Sequence, residues 1–143
     1  MSTNDIIIGR LRDFISDCPH LQDGRVNVDY KGAKPTTYSI DGTPIKSIIK
    51  QYIDGSSIRQ FAFSFGSVEH YGFDVLQNME NNGFYEDFAA WLEAQTRAGV
   101  LPDLGEGRQA QSVEAESQAY LYDNGDSTAR YQVQCRLIYF QEN

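Results

Sequence analysis

Hydrophobic positions along the chain alternate between helix-like and strand-like spacing, and the changes of period divide it into elements. Ile7, Leu11, Phe14, Ile15 and Cys18 recur at helical spacing, with Arg10, Arg12, Asp13 and Asp17 between them. This predicts an N-terminal helix capped by Thr3 or Asn4, stopped by Pro19 and packed by one face on a sheet. From Gly24 the pattern shortens to β-favouring segments, Arg25–Tyr30 and Thr36–Ile40, separated by Lys31-Gly-Ala-Lys-Pro35 and ended by Asp41-Gly-Thr-Pro44. Ile45–Ile53 and Ile58–Val68 flank Asp54-Gly55-Ser56-Ser57 and read as a hairpin. In its second arm Ile58, Gln60, Ala62 and Ser64 alternate against Arg59, Phe61, Phe63 and Phe65, so one face is strongly aromatic and belongs in the core.

Helical spacing returns at Asp74, a candidate cap for Val75, Leu76 and Met79, and breaks at Asn81-Asn82-Gly83. It resumes with Phe84, Phe88, Trp91, Leu92 and Gln95 on one side, closing at Gly99 and Pro102. An acidic, Gly-rich loop, Pro102–Arg108, follows. The last 35 residues alternate most clearly. Val113, Ala115, Ser117, Ala119 and Leu121 oppose Glu114, Glu116, Gln118 and Tyr120, and Tyr131, Val133, Cys135, Leu137 and Tyr139 oppose Arg130, Gln132, Gln134 and Arg136.

That pattern predicts a long C-terminal hairpin turning at Asp123-Asn-Gly-Asp126. A two-residue loop would set Ala119 against Arg130, although cross-strand partners must share a face. A three-residue loop instead sets Glu114 against Arg136 and Tyr120 against Arg130. The expected fold is therefore α+β. A mainly antiparallel sheet is packed on one face by the N-terminal helix and a central broken helical segment, and ends in a long β-hairpin. Its other face is polar but rich in Tyr and Gln, which suits an oligomer contact.

Composition narrows the function. The chain has 143 residues, enough for a single domain, 1–143, with a core that needs no metal or disulfide. Hydrophobic residues make up 41% and aromatic residues 13%, enough apolar surface to offset chain entropy. The net charge of −8 argues against direct nucleic-acid binding, which depends on clustered Lys and Arg. Cys18 and Cys135 lie far apart in apolar patterns and read as two buried thiols, with cytosolic residence the corollary. No basic region leads into a long apolar stretch, and no run reaches the roughly 20 residues of a membrane span.

Candidate chemistry is sparse. His20 and His70 stand apart from other ligands at metal-like spacing, so no metal is expected. No Gly-x-Ser-x-Gly elbow occurs, and Gly105-Glu-Gly107 lacks the Lys-Ser/Thr of a phosphate loop. Cys18 beside His20 suggests an activated thiol, but a Cys on the apolar face of a helix end ordinarily packs, and burial raises its pKa. Asp123-Asn-Gly-Asp-Ser collects oxygen ligands without the closing Glu of a calcium loop. The expectation is a protein with no catalytic residues, no cofactor and no enzymatic activity.

Several runs carry a family resemblance. Arg25-Val-Asn-Val-Asp-Tyr30, Tyr38-Ser-Ile-Asp41, Gln51-Tyr-Ile-Asp-Gly55 and Arg59-Gln-Phe61 are among them, with Tyr71-Gly-Phe-Asp-Val-Leu-Gln-Asn78, Gly83-Phe-Tyr-Glu-Asp-Phe88 and Trp91-Leu92. The last is Thr128-Ala-Arg-Tyr-Gln-Val-Gln-Cys-Arg-Leu-Ile-Tyr139. Together they resemble a family encoded in tail modules of phages and prophages of Gram-positive bacteria, similar to tail terminators. The resemblance implies a virion structural protein that forms a ring, commonly hexameric, capping the tail tube and helping head–tail joining. It implies self-association and contact with tail tube protein, with sheath and head–tail connector as further partners, no membrane, and a setting that leans toward contractile tails. It places the protein in the host cytoplasm during assembly and then in the particle. Alternatives are another minor tail or head–tail connector component, or, in a different class, a small acyltransferase.

Some relatives carry a chloramphenicol-resistance label. Chloramphenicol acetyltransferases use His-x-x-x-Asp-Gly, and His20-Leu-Gln-Asp23-Gly24 is one residue short, which moves the base away from its hydroxyl. Glu114, Glu116, Arg130 and Arg136 are the candidate subunit-interface residues, with intrachain surface pairs as the alternative reading.

Overall fold

A computed structural model describes residues 6–21, 26–28, 37–70, 75–124 and 128–143. The elements run α1 (Ile7–Ile15), β1 (Val26–Val28), β2 (Thr37–Thr43), β3 (Ile48–Gln51), β4 (Ser57–His70), α2 (Val75–Ala98), β5 (Arg108–Ala115), β6 (Tyr120–Asn124) and β7 (Thr128–Gln141). One sheet takes all the strands in the order β1-β2-β4-β7-β5, with β3 added to β4 and β6 to β7. The fold is α+β with a mainly antiparallel sheet; β1 and β2 form a parallel pair.

The long strands β4 and β7 form the spine, paired from Ser57↔Gln141 to His70↔Thr128. Their alternation puts Phe63 and Phe65 of β4, and Tyr131, Val133, Cys135, Leu137 and Tyr139 of β7, on the buried face. Phe61 is partly buried against the same core. α1 adds Leu11 and Ile15, the turn after it Cys18, and α2 adds Tyr85, Phe88 and Leu92. Phe65 packs tilted against Phe88, with ring centroids 4.3 Å apart, and Phe14 of α1 meets Trp91 of α2 at 5.2 Å. Each such side chain stabilises the fold by roughly 1.5–3 kcal/mol relative to exposure.

Four expectations are corrected. First, α1 begins after Ile6, which makes no side-chain cap, and it ends at Ile15, ahead of Pro19. Ser16 still donates its N–H (2.9 Å) and its hydroxyl (2.6 Å) to the Arg12 carbonyl, and the chain then tightens into i→i−3 bonds, Asp17 N–H to the Phe14 carbonyl (3.2 Å) and Cys18 N–H to that of Ile15 (2.9 Å). Thr3 and Asn4 lie outside the described residues, as do Asp74, Arg25 and 29–36.

Second, α2 is continuous through Asn81-Asn82-Gly83. Gly83 is helical with open space around its Cβ position, so the glycine lowers helix propensity without breaking the helix, and packing of the aromatic face prevails. The C-terminal stop is as expected. Gly99 takes φ +76°, its N–H reaches the Thr96 carbonyl, and Val100 N–H reaches that of Gln95, a Schellman motif.

Third, Asp41-Gly-Thr43 continues β2 rather than ending it, since each residue has a partner on β4. At Gly42 a Cβ would meet the Phe61 ring at 3.5 Å, an ordinary contact, so the position does not require glycine.

Fourth, the C-terminal hairpin divides its first arm into β5 and β6. Glu114 faces Arg136 as expected, but Tyr120 faces Gln132 instead of Arg130. Between Ala115↔Cys135 and Tyr120↔Gln132, residues 116–119 are matched only by 133–134. The surplus is even, so face parity survives, and Tyr120 still shares a face with Gln132. A bulge between Leu121 and Asp123 then changes parity, so that Asp123 faces Arg130 and Asn124 faces Ala129; the turn itself, residues 125–127, lies outside the described residues.

Candidate functional site

The sheet has two edges of opposite character. On the β5 side, α2 lies against the strand, and Thr96 Oγ closes the edge. It donates to the Val113 carbonyl at 2.9 Å and accepts the Val113 N–H at 3.1 Å, satisfying both outward backbone groups. At Val113 the strand edge is thereby closed to pairing with another strand. Further along, residues 116–119 leave the ladder and open a cleft of about 340 Å³. Its lining includes Tyr85, Glu86 and Ala89 of α2, Ser117 and Ala119 of the looped segment, and Val133 of β7.

Tyr85 is placed there by α2's register. Its hydroxyl meets Ser67 Oγ and donates to the Tyr131 carbonyl at 3.3 Å, so a polar group is buried with partners. The buried face of α2 is thus centred on Tyr85, Phe88, Leu92 and Thr96, while Phe84 and Trp91, expected at its centre, flank it partly exposed. Spacing 85, 88, 92, 96 is as helical as 84, 88, 91, 95. A tyrosine and a threonine at its ends hid the stripe from a reading of apolar residues alone.

On the β3 side the edge is open. β3 pairs with β4 through Ile48↔Arg59, Lys50↔Ile58 and Gln51↔Ser57, with Ile49 bulged out of the register. Ile45, Ile49, Tyr52 and Ile53 are all exposed, Ile53 entirely so. The turn beneath them is well held. Asp54 accepts from Ser56 N–H at 2.9 Å and from Ser56 Oγ at 2.5 Å, Gly55 takes φ +92°, and Tyr52 N–H reaches the Ser56 carbonyl at 2.8 Å. The Ser56 hydrogen bonds hold the Asp54 carboxyl below its ordinary pKa. Gln60 fixes the approach to the strand, its Nε2 donating to the Lys46 carbonyl at 2.9 Å and its N–H to that of Ser47 at 2.7 Å. The hairpin therefore presents its isoleucines from a rigid support.

Sequence reasoning placed this hairpin but missed its surface. Ile48 and Ile49 are adjacent, so they project to opposite faces and one must be exposed on a sheet covered on one side. That was the available signal.

Of the expected interface residues, the structure gathers Glu114, Glu116 and Arg136 on the polar face. Arg136 Nη2 lies 3.4 Å from Glu114 Oε1, and Nε lies 2.7 Å from Glu116 Oε1, an ion pair whose N–H is not aligned as a hydrogen bond. These partly exposed intrachain pairs contribute about 0–1 kcal/mol each. Arg130 stands apart, opposite Val68 and Asp123, six residues along β7 and so roughly 20 Å away. Tyr120 completes the polar cluster, its hydroxyl accepting from Gln132 Nε2 at 2.5 Å and Gln134 Nε2 at 2.9 Å.

Cys18 and Cys135 are free, buried thiols, and burial pushes both pKa values up, away from nucleophilic character. His20 is exposed in the turn after α1, and Asp23 and Gly24 lie outside the described residues. Among the described residues no group of His, Cys, Asp or Glu gathers as a metal site, and no helix is long and apolar enough to cross a membrane. No model of a known protein family matches the chain, and none of the curated proteins compared with it does.

Proposed function

We propose that this chain is a structural subunit that assembles with copies of itself to cap a phage tail tube, in the manner of a tail terminator. The observation that carries the reading is the apolar surplus on the open edge: Ile45, Ile49, Tyr52 and Ile53 stand exposed on a rigid hairpin. Clustered exposed apolar side chains on a strand edge are a liability for a lone subunit and a docking surface for an assembling one. The resemblance of the sequence runs to tail terminators supplies the kind of assembly, a ring, hexameric as is common in that family.

The work of such a ring is steric. A tube end presents unsatisfied interfaces, and a ring of subunits covers them and denies the next tube layer its site. The proposal is tested by polymerising tube protein with and without the chain. Tubes of limited length with density for a ring at one end are expected. Tubes that grow unchecked and carry no bound chain would overturn it, and density only at a head–tail junction would replace the cap with a connector.

A further inference from the structure

We infer that the β3–β4 hairpin is a plug by which one copy of this chain docks on the next, entering the cleft between α2 and residues 117–119 on the far side of the neighbour's sheet. This rests on reading the chain as a subunit of an assembly, and it adds which surfaces meet.

Three observations converge on that pairing. The first is fit of surface type. The hairpin ends in the fully exposed Ile53 with Ile49 and Tyr52 behind it, and the cleft offers a concavity of about 340 Å³ whose floor of Ala89, Ala119 and Val133 is bordered by the polar groups of Glu86, Ser117 and Gln118. That volume lies at the small end of the ~300–1,000 Å³ typical of binding pockets, which suits a few side chains rather than a whole element. The second is charge. Lys46 and Lys50 flank the plug without a carboxylate partner among the described residues, Lys50 lying over the Tyr52 ring at 5.1 Å, whereas the Asp54 carboxylate in the turn is held by the Ser56 N–H and hydroxyl. Glu86 on the cleft lining and Asp87 beside it are exposed and lack a basic partner among the described residues.

The third observation is topology. β3 joins β4 on one side of the spine, whereas residues 116–119 interrupt the ladder on the other side of β7. The two surfaces therefore serve different neighbours. Contact between unlike patches is head-to-tail, and it gives a ring where the rotation between copies closes and an open filament where it does not. The symmetric alternative, hairpin against hairpin, would bring Lys46 and Lys50 of one copy onto those of the other and is disfavoured by like charge. Occupation of the cleft by another hairpin also explains how a sheet can keep one edge capped by Thr96 and still be joined on that side.

Cross-linking and association of the free chain test the plug. Cys18 and Cys135 are buried, so thiols introduced by Ile53→Cys and Ala89→Cys react selectively with a short bismaleimide. The mixture of these two variants is expected to give covalent dimers that neither gives alone. In sedimentation equilibrium, Ile53→Asp is expected to weaken self-association at least tenfold with an unchanged melting temperature. Lys50→Glu and Glu86→Lys each weaken it, and combining them in one chain restores it. The plug is overturned by a chain that stays monomeric at every concentration, by association that Ile53→Asp leaves intact, or by cross-links that form within Ile53→Cys alone. Tube capping is read separately. Normal capping by Ile53→Asp overturns the plug alone, whereas plugged rings that fail to limit tube length overturn the capping reading alone.

Discussion

The two edges of this sheet begin from the same problem and solve it in opposite ways. Each carries a row of backbone groups with no strand beyond it. On the β5 edge a threonine hydroxyl from α2 answers both groups of Val113, and a cleft opens where residues 116–119 leave the ladder. Among the described residues no helix packs on the β3 edge, and four large apolar side chains remain in solvent. One edge has been finished within the chain, and the other is complementary to something outside it.

The largest expected effect comes from removing what both edges hang on. Phe65 lies on β4, fully buried against Phe88 and Tyr38, so Phe65→Ala should lower stability by about 3–5 kcal/mol in urea unfolding and loosen both edges together. If hydrogen exchange quickened at one edge only, the two would not share this support.

Opening the closed edge is the next test. Thr96→Val keeps the shape and leaves Val113 N–H and C=O without their partner, a loss of about 1–2 kcal/mol with faster amide exchange at Val113. An unchanged exchange rate would mean that the hydroxyl is not what seals this edge.

Cys135 reports from between the edges, facing Phe63 on β4 and Ala115 on β5. Burial raises its pKa, with Glu116 adding to the rise. Below the ordinary thiol pKa of about 8.5 both folded and unfolded chains keep this proton, and stability is independent of it. Above that value the unfolded chain loses the proton while the folded chain retains it, so stability falls with rising pH, by at most about 1.4 kcal/mol per pH unit from this group. Denaturation between pH 8 and 10 should show the fall, and Cys135→Ala should flatten it.

The smallest effect on the fold is expected at the open edge. Ile49→Lys should change monomer stability by no more than about 0.5 kcal/mol, because an exposed side chain gives up little on replacement. A large loss in thermal unfolding would show that the isoleucine packs within its own chain.

Strict alternation made much of this molecule legible beforehand. Phe63 and Phe65, and the series from Tyr131 to Tyr139, were readable as core because a period of two leaves only one face for them. The helix stop at Gly99 was equally readable, since a left-handed residue after a helical run has few other uses. The pairing Glu114↔Arg136 followed from face parity. Interruptions were less legible. Asn81-Asn82-Gly83 and Asp41-Gly42 carry breaker residues, and tertiary contacts overrode both, through the aromatic packing of α2 on the sheet and the pairing of β2 with β4.

Of the candidate site, the sequence located the β3–β4 hairpin and the charged trio Glu114, Glu116 and Arg136, but not the feature that separates the two edges. Which face each side chain takes is a local property, determined by period and parity along a single strand. Whether an edge is covered depends on an element distant in the chain arriving beside it. Thr96 reaches Val113 only because α2 crosses the sheet there, and Ile45, Ile49 and Ile53 stay exposed because no helix among the described residues packs on their side. Local alternation was written in the residues themselves, whereas the closing of one edge and the opening of the other were decided when the helices docked.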